Sequence, residues 1–454
     1  MMKLRMISAV LVFCCACVQA EDAEWKPLFN GKNLNGWIQR GGKAVYEVVD
    51  GTIVGTSVLK TPNSFLCTEM DYADFVLEYE FKVDARLNSG VQIRSQCFDE
   101  DIEVFWEDKV KKIPAGRVHG YQVEIDPDMN RKRLWSAGIF EEATRGWLYP
   151  GEGGGDPKAF SEQGLKVFKP DEWNQVRIEA KGHSIKTFLN GELRADLNDS
   201  RVASGFIGLQ VHGIGKKEQE GAQVAWRNLR IQDLGGRPNT LTQVEKKNGW
   251  KLLWDGKTTE GWRSIRAENW PDKGWKIKDG QLRIEAKSGA GDLITREKFG
   301  DFELKLDFKL SPKANSGIKL FIKSEPGQVK LAPLGPEYQI LDDLRHPDSN
   351  MGKPGTRKVG SLYDLIAAPN DKKVMPIGGW NQAHIVSKGN KVTFRLNGEI
   401  TAEFERGSED WNKLVADSKY KRQKGFGDAK TGHILLQDHY DLVFFRNIKI
   451  KSAD

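Results

Sequence analysis

The sequence predicts an all-β chain of two homologous domains, each a sandwich or a barrel. Three observations carry this. One motif set occurs twice in the same order, apolar and polar residues alternate with a period of two, and Gly- and Asn-containing turns separate the alternating runs.

The repeat sets the architecture. Trp25-Lys-Pro-Leu-Phe-Asn-Gly-Lys32, Gly36-Trp37, Asp50-Gly51, Asn88-Ser-Gly90, Trp173-Asn174, Asn190-Gly191, Leu209-Gln-Val-His212 and Arg227-Asn-Leu-Arg-Ile231 form the first copy. Trp250-Lys-Leu-Leu-Trp-Asp-Gly-Lys257, Gly261-Trp262, Asp279-Gly280, Asn315-Ser-Gly317, Trp380-Asn381, Asn397-Gly398, Leu436-Gln-Asp-His439 and Arg446-Asn-Ile-Lys-Ile450 form the second. The expected organisation is a signal peptide at 1–20, a first domain at 21–232, a linker at 233–247 and a second domain at 248–454. In the linker, Leu234 to Thr242 is rich in Gly, Pro and Thr.

The leader has Lys3 and Arg5 before an apolar run from Ile7 to Val18, too short to span a bilayer. Val18-Gln-Ala20 suits cleavage before Glu21. The alternative is lipid attachment at Cys17, which Cys14 at the usual leucine position disfavours. The chain is therefore expected to be exported, periplasmic or extracellular, with no transmembrane segment. Cys67 and Cys97 are the cysteines beyond the leader. Two thiols or one disulfide are both open, and neither has zinc-ligand partners nearby.

The strands follow from pattern. Phe75 to Val83 and Phe302 to Leu310 alternate strictly. Val176 to Ala180 and Ile185 to Leu189 flank a hairpin turn at Gly182-His183, and Gly389-Asn390 plays the same part in the second half. Asn190-Gly191 and Asn397-Gly398 are two-residue turns in which both positions need positive φ. Helical pattern is confined to insertions at Glu405 to Lys424 and Glu100 to Lys112.

Charge excludes one class of function. The 69 basic and 63 acidic residues give +6 with no block of one sign, so nucleic-acid binding has no basis. Zinc-protease, phosphate-loop and dinucleotide signatures are missing from the sequence. Asp126-Pro-Asp-Met-Asn130 begins like a calcium loop but has Arg131 and Ala137 where Gly and Glu are needed. A looser calcium site remains open.

The candidate sites are strand faces that collect unusual polar groups. After Asn88-Ser-Gly90, Gln92 and Arg94 oppose Val91 and Ile93. Gln122, Glu124 and Asp126 oppose Tyr121, Val123 and Ile125. In the second half Lys319, Phe321 and Lys323 oppose Ile318, Leu320 and Ile322, while Glu337 and Gln339 share a face with Asp342 just beyond. A solvated outer face is the bland alternative. The recurrence beside the same Asn-Ser-Gly turn favours a site, and such grooves bind sugars. Trp106, Trp135, Trp147, Tyr149, Trp270, Trp275 and Tyr363 are candidate stacking surfaces, most of them expected in the core. His212 and His439, each at a strand end after Leu-Gln-x, suit proton transfer.

In this order and twice over, these motifs resemble the 3-keto-disaccharide hydrolase domain family, formerly a domain of unknown function. Its members in turn resemble concanavalin-like jelly rolls. The resemblance implies two such jelly-roll β-sandwich domains with short helical insertions, and substrates oxidised to a ketone at C3 of a sugar ring. It implies a general base, an acid for the leaving oxygen, and cations or a divalent metal ion for an enolate. It also implies a functional link to a sugar C3 dehydrogenase. Carried onto this sequence, Glu124, Asp126 and His212 are the catalytic candidates in the first domain, and Glu337, Asp342 and His439 in the second. Asn88, Arg94, Gln122, Asn315, Lys323, Gln339 and Tyr363 are the substrate contacts, with Arg94 aligned to Lys323. The expected function is cleavage of 3-keto-glycosides by hydrolysis or by elimination and hydration. A non-catalytic tandem lectin-like protein is the alternative.

Overall fold

The computed structural model describes residues 23–127, 133–324 and 333–453. The expected leader and the calcium-loop-like segment from 128 onward lie outside the described residues. Each half is a two-sheet antiparallel sandwich of jelly-roll type.

In the first half one sheet runs in the order Glu192–Asn198, Ser184–Leu189, Asn174–Lys181, Asp74–Val83, Gln223–Gly235, Thr52–Thr56, Val45–Val49. The facing sheet runs Gly146–Tyr149, Ile139–Glu142, His119–Ile125, Ser89–Gln96, Phe206–Val211, Ser64–Thr68, Trp37–Gly41. The alternation dictates the packing. Phe75, Leu77, Tyr79 and Phe81 of one sheet meet Val91, Ile93, Tyr121 and Val123 of the other in a single core. The second half repeats this. Leu304, Leu306 and Phe308 from Phe302–Leu310 pack on Ile318, Tyr338 and Ile340 from Asn315–Ile322 and Glu337–Leu341.

Motifs shared by the halves are largely framework. Asn190 donates to the Asn174 side-chain oxygen at 2.9 Å, and Asn397 to that of Asn381 at 2.9 Å. The Asn-Gly turn of each half is thus tied to its Trp-Asn strand start. Asn190 and Asn397 both have φ of 50°. Cys67 and Cys97 are free thiols, not a disulfide.

Three local expectations need revision. The segment Glu100 to Lys112 is a hairpin, Ile102–Trp106 against Lys109–Ile113, not a helix. Its β-branched and aromatic residues pair across a turn at Glu107, which has φ of 51°. A helix lies instead at Pro157–Val167, where the Asp156 side chain caps the Ala159 amide and Pro157 opens the first turn. The linker carries a short helix, Gln243–Lys247, closed by a Thr242/Glu245 capping box. The expected helix within 405–424 is present as Glu409–Ala416. No helix among the described residues is long and apolar enough to cross a membrane.

The 102–113 hairpin presses on the second half. Gly378, at φ of 83°, lets its backbone approach so closely that an added Cβ would fall 1.8 Å from the Phe105 carbonyl oxygen. Glu100 pairs with Lys278 at 2.6 Å, and Asp108 with Arg345.

Phe81 is fully buried whereas its neighbour Glu80 faces outward, paired with Arg227 at 2.7 Å. Urea titration of Phe81→Ala should give a loss of about 3–5 kcal/mol. Glu80→Ala should stay within about 0.5 kcal/mol of wild type.

Candidate active site

The outer faces of the two sheets differ in kind. On the Asp74–Val83 sheet, Glu78 and Glu80 point out and pair with Arg177, Arg230 and Arg227, as a solvated face does. On the facing sheet, Gln92, Gln122, Glu124, Asp126 and Gln210 also point away from the core, yet all are buried.

Register arranges these groups in three rows. Gln122 lies opposite Gln92, which lies opposite Gly208. Glu124 lies opposite Gly90, which lies opposite Gln210. Continuing the same register brings Asp126, Asn88 and His212 to the third row. The second domain builds the matching rows Glu337–Lys319–Leu435, Gln339–Gly317–Gln437 and Leu341–Asn315–His439.

The Asn-Ser-Gly motif builds the middle strand. Ser89 and Ser316 bond the carbonyls of Gln210 and Gln437 at 2.6 and 2.7 Å, locking the neighbouring strand. Gly90 and Gly317 leave room: a Cβ there would fall 2.6 Å from Gln122 and 2.5 Å from Glu337. The Asn side chain enters the site itself. Asn88 Nδ2 donates to Glu124 Oε1 at 2.5 Å, and Gln122 Nε2 donates to Glu124 Oε2 at 3.0 Å. Gln92 Nε2 in turn holds Gln122 Oε1 at 2.6 Å.

Burial dominates the electrostatics of Glu124 and raises its carboxyl to about 7. The bonds from Asn88 and Gln122 pull the other way, while Asp126 and Glu142 push with burial. Glu142 is raised by its own burial, against Arg117, His212 and Lys111. Glu124, Asp126, Glu142 and His212 thus share one field. Asp126 also pairs with Arg133 at 3.2 Å, and Arg133 lies over the Trp135 ring at 4.2 Å. Across Gly90, the side-chain oxygen and nitrogen of buried Gln210 have no partner.

The second-domain face opens on a cavity of about 350 Å³ lined by Asn315, Lys319, Glu337, Gln339, Tyr363 and His439, among others. Glu337 pairs with Lys319 at 3.5 Å. Gln339 donates to Asn315 at 3.3 Å, and its own oxygen has no partner. Lys419 lies 4.0 Å from the Tyr363 ring centroid, and Tyr363 donates to Asp348 at 2.8 Å. The amide–carboxylate exchange read from sequence is therefore real in space: Gln339 stands where Glu124 does.

Three expected contacts lie elsewhere. Arg94 takes φ of 47° at a bulge and turns away, donating to the carbonyls of Ala73 and Gly182 at 2.6 and 2.7 Å and pairing with Asp74 at 3.0 Å. Its counterpart is Phe321, at φ of 59°, not Lys323. In the second domain Arg406 supplies the equivalent guanidinium, bonding the Gly389 carbonyl at 2.9 Å and lying 3.9 Å from the Phe321 ring centroid. Lys323 is exposed beyond its strand and does not line the cavity. Asp342 falls one residue past the row and caps the Lys313 amide at 2.8 Å. Of the candidate aromatics, Tyr363 reaches a site, while Tyr149 and Trp275 pack in or against the cores. Sequence reasoning placed Lys319 on the polar face without giving it a role, and it missed Gln210, Glu142 and Lys419. The Leu-Gln-x-His repeat held the signal for Gln210.

For a divalent cation, His346, His439 and Asp441 offer ligand atoms within 4.8 Å of one another. The fit is partial. His346 Nδ1 accepts the Asp348 amide at 3.1 Å, so the neutral ring carries its proton on Nε2. Ligation through Nε2 would cost that bond.

A profile of the 3-keto-alpha-glucoside-1,2-lyase-like domain family matches residues 24–232 and 249–451. The chain belongs to this family. Membership places it among carbohydrate-active proteins. It is 34% identical over 271 residues to the 3-keto-disaccharide hydrolase of Bacteroides thetaiotaomicron, covering 53% of this chain and 91% of that one. Two solved Parabacteroides distasonis proteins, both provisionally described as glycosyl hydrolases, are also similar. The first is 33% identical at a TM-score of 0.44, with 48% of this chain and 100% of that one covered. The second is 28% identical at 0.36, with 45% and 98% covered.

A carboxyl held at about 7 in the fold but near 4.5 when unfolded favours the folded state in its protonated form. Its stabilising effect is complete below the unfolded value and is lost as pH rises towards 7. Denaturant titrations should show Glu124→Gln gaining ~3 kcal/mol on wild type between pH 4 and pH 8. A constant difference would contradict the raised value.

Proposed function

We propose that the chain is an exported enzyme that cleaves the glycosidic bond of 3-keto-glycosides by elimination and hydration, with Glu124 of the first domain as the base. The observation that carries this is a buried carboxyl poised near neutrality and aimed by two amides. The family's name and that of the Bacteroides relative support the substrate class.

A C3 ketone acidifies the C2 proton. Glu124 takes that proton, and the C2–H electron pair moves into the C3 carbonyl as an enolate. The unpartnered Gln210 amide, across Gly90, is the donor for the enolate oxygen. The enolate then expels the C1 substituent, forming a C1–C2 double bond, and His212 protonates the departing oxygen. Water adds at C1 and gives a proton back to His212, while a proton returns to C2 from Glu124. No oxocarbenium ion forms, so the carboxylate spacing of ordinary glycosidases does not apply.

The second domain supports a binding role without turnover, because an amide, Gln339, occupies the base position. Lys319 beside Glu337 and Tyr363 beside Lys419 make a polar cavity suited to sugar hydroxyls.

Turnover of a 3-keto-glucoside by wild type should rise with pH through about 7. Glu124→Gln should lose roughly 10³-fold in kcat and His212→Ala roughly 10²-fold. Glu337→Gln and His439→Ala should leave kcat nearly unchanged. Binding without turnover by wild type, at any pH and with any divalent metal, would overturn the enzyme reading. Loss of turnover in Glu337→Gln but not in Glu124→Gln would move the chemistry to the second domain.

A further inference from the structure

A cavity of about 530 Å³ lies between the two domains, and its lining includes none of Asn88, Gln122, Glu124, Asn315, Glu337 and Gln339. The first domain contributes the 102–105 strand and Arg201; the second contributes Lys278, Gln281, Lys309, Trp380 and Arg446. Its size falls within the range of small-molecule sites, and domain interfaces are common places for them.

The charges in its wall are unevenly matched. Arg446 pairs with Asp307 at 3.2 Å, Arg201 with Glu141 at 3.6 Å and Lys278 with Glu100 at 2.6 Å. Lys309 has no such partner: among the described residues no carboxylate lies within ion-pair distance of its Nζ. Its register neighbours are Trp380 and Phe444. Their ring centroids stand 4.8 and 4.3 Å from Nζ, and Gln281 accepts a weak bond at 3.3 Å. The rings hold the ammonium in place without neutralising it. A surface lysine would reach for water. This one is partly buried and lines the cavity, and burial, with Arg446 and Arg201 beside it, draws it down to about 7 against the pull of Asp279. One further donor is unspent, since Arg283 Nε is buried without a hydrogen-bond partner, whereas Arg201 Nε faces Glu141.

A partly buried cation held by rings and not by an ion pair is free to take up an anion in the cavity. We propose that the interdomain cavity binds a sugar carboxylate, its carboxylate group held by the Lys309 ammonium and the free Arg283 N–H. The volume suits a sugar ring better than a bare inorganic ion, and Gln96, Gln281 and Asp279 in the same wall can accept from ring hydroxyls. This site is independent of the chemistry assigned to Glu124.

The test is calorimetric titration of the full chain with glucuronate, glucose and inorganic phosphate. Saturable glucuronate binding is expected, with glucose not binding and phosphate at least tenfold weaker. Lys309→Met should weaken glucuronate at least tenfold. In wild type, glucuronate should protect Lys309 from amine labelling followed by mass spectrometry, a readout that stands even where Lys309→Met fails to fold. Absent glucuronate binding, equal binding of glucose, unchanged affinity in Lys309→Met, or an unprotected Lys309 would each overturn the proposal. Phosphate binding as tightly as glucuronate would overturn the sugar assignment.

Discussion

A sheet face that is polar and yet buried has to account for every donor and acceptor on it. That constraint shapes the first-domain site. Asn88, Gln92 and Gln122 are spent on one another and on Glu124, and the chain ends on a carboxyl with little water around it. Burial then sets the acidity of Glu124, while the amides fix its direction. Gly90 is the opening in this array. Its missing side chain makes room for Gln122, which lies over it, and Gln210 on the next strand keeps an unpartnered amide.

Duplication of the sandwich gave a second array under the same framework rules and a different chemistry. The Asn, Ser and Gly of the central strand are kept, as are the Gln and His of the neighbouring strand. The base position became Gln339, the amide beside it became Glu337, and the residue that touches that amide became Lys319. Glu337 lies beside an ammonium, whereas Glu124 lies among amides. The two arrays therefore differ in charge where they share a framework. Contact between the domains, through the 102–113 hairpin, creates a third environment that neither sandwich has alone.

Much of this was legible in the sequence because strands follow simple rules. Alternation from Phe75 to Val83 and from Phe302 to Leu310 placed the cores, and the Asn-Gly turns placed the hairpins. The exchange of Gln122 and Glu124 for Glu337 and Gln339 could be read directly. The count by two failed at the bulge, where Arg94 and Phe321 take positive φ and their side chains leave the face that alternation assigns them. Arg94 was matched to Lys323 by charge type, but six residues after each Asn-Ser-Gly asparagine stand Arg94 and Phe321. The cation lost there returns from another strand end as Arg406, which no local pattern could reveal. Glu142 and Lys419 reach their sites from separate elements, so their roles depend on tertiary approach. The Asp156-Pro157 helix start has a cap residue and a proline in sequence, yet too little of the helix is buried to show a period.

The central claim is that the buried array holds Glu124 near neutrality while aiming it. Carbon-13 NMR titration of the Glu124 side-chain carboxyl measures this directly. The account predicts a midpoint at about 7, and a higher one in Asn88→Ala, where a bond favouring the charged form is gone. A midpoint near the ordinary glutamate value of about 4.3 would contradict it.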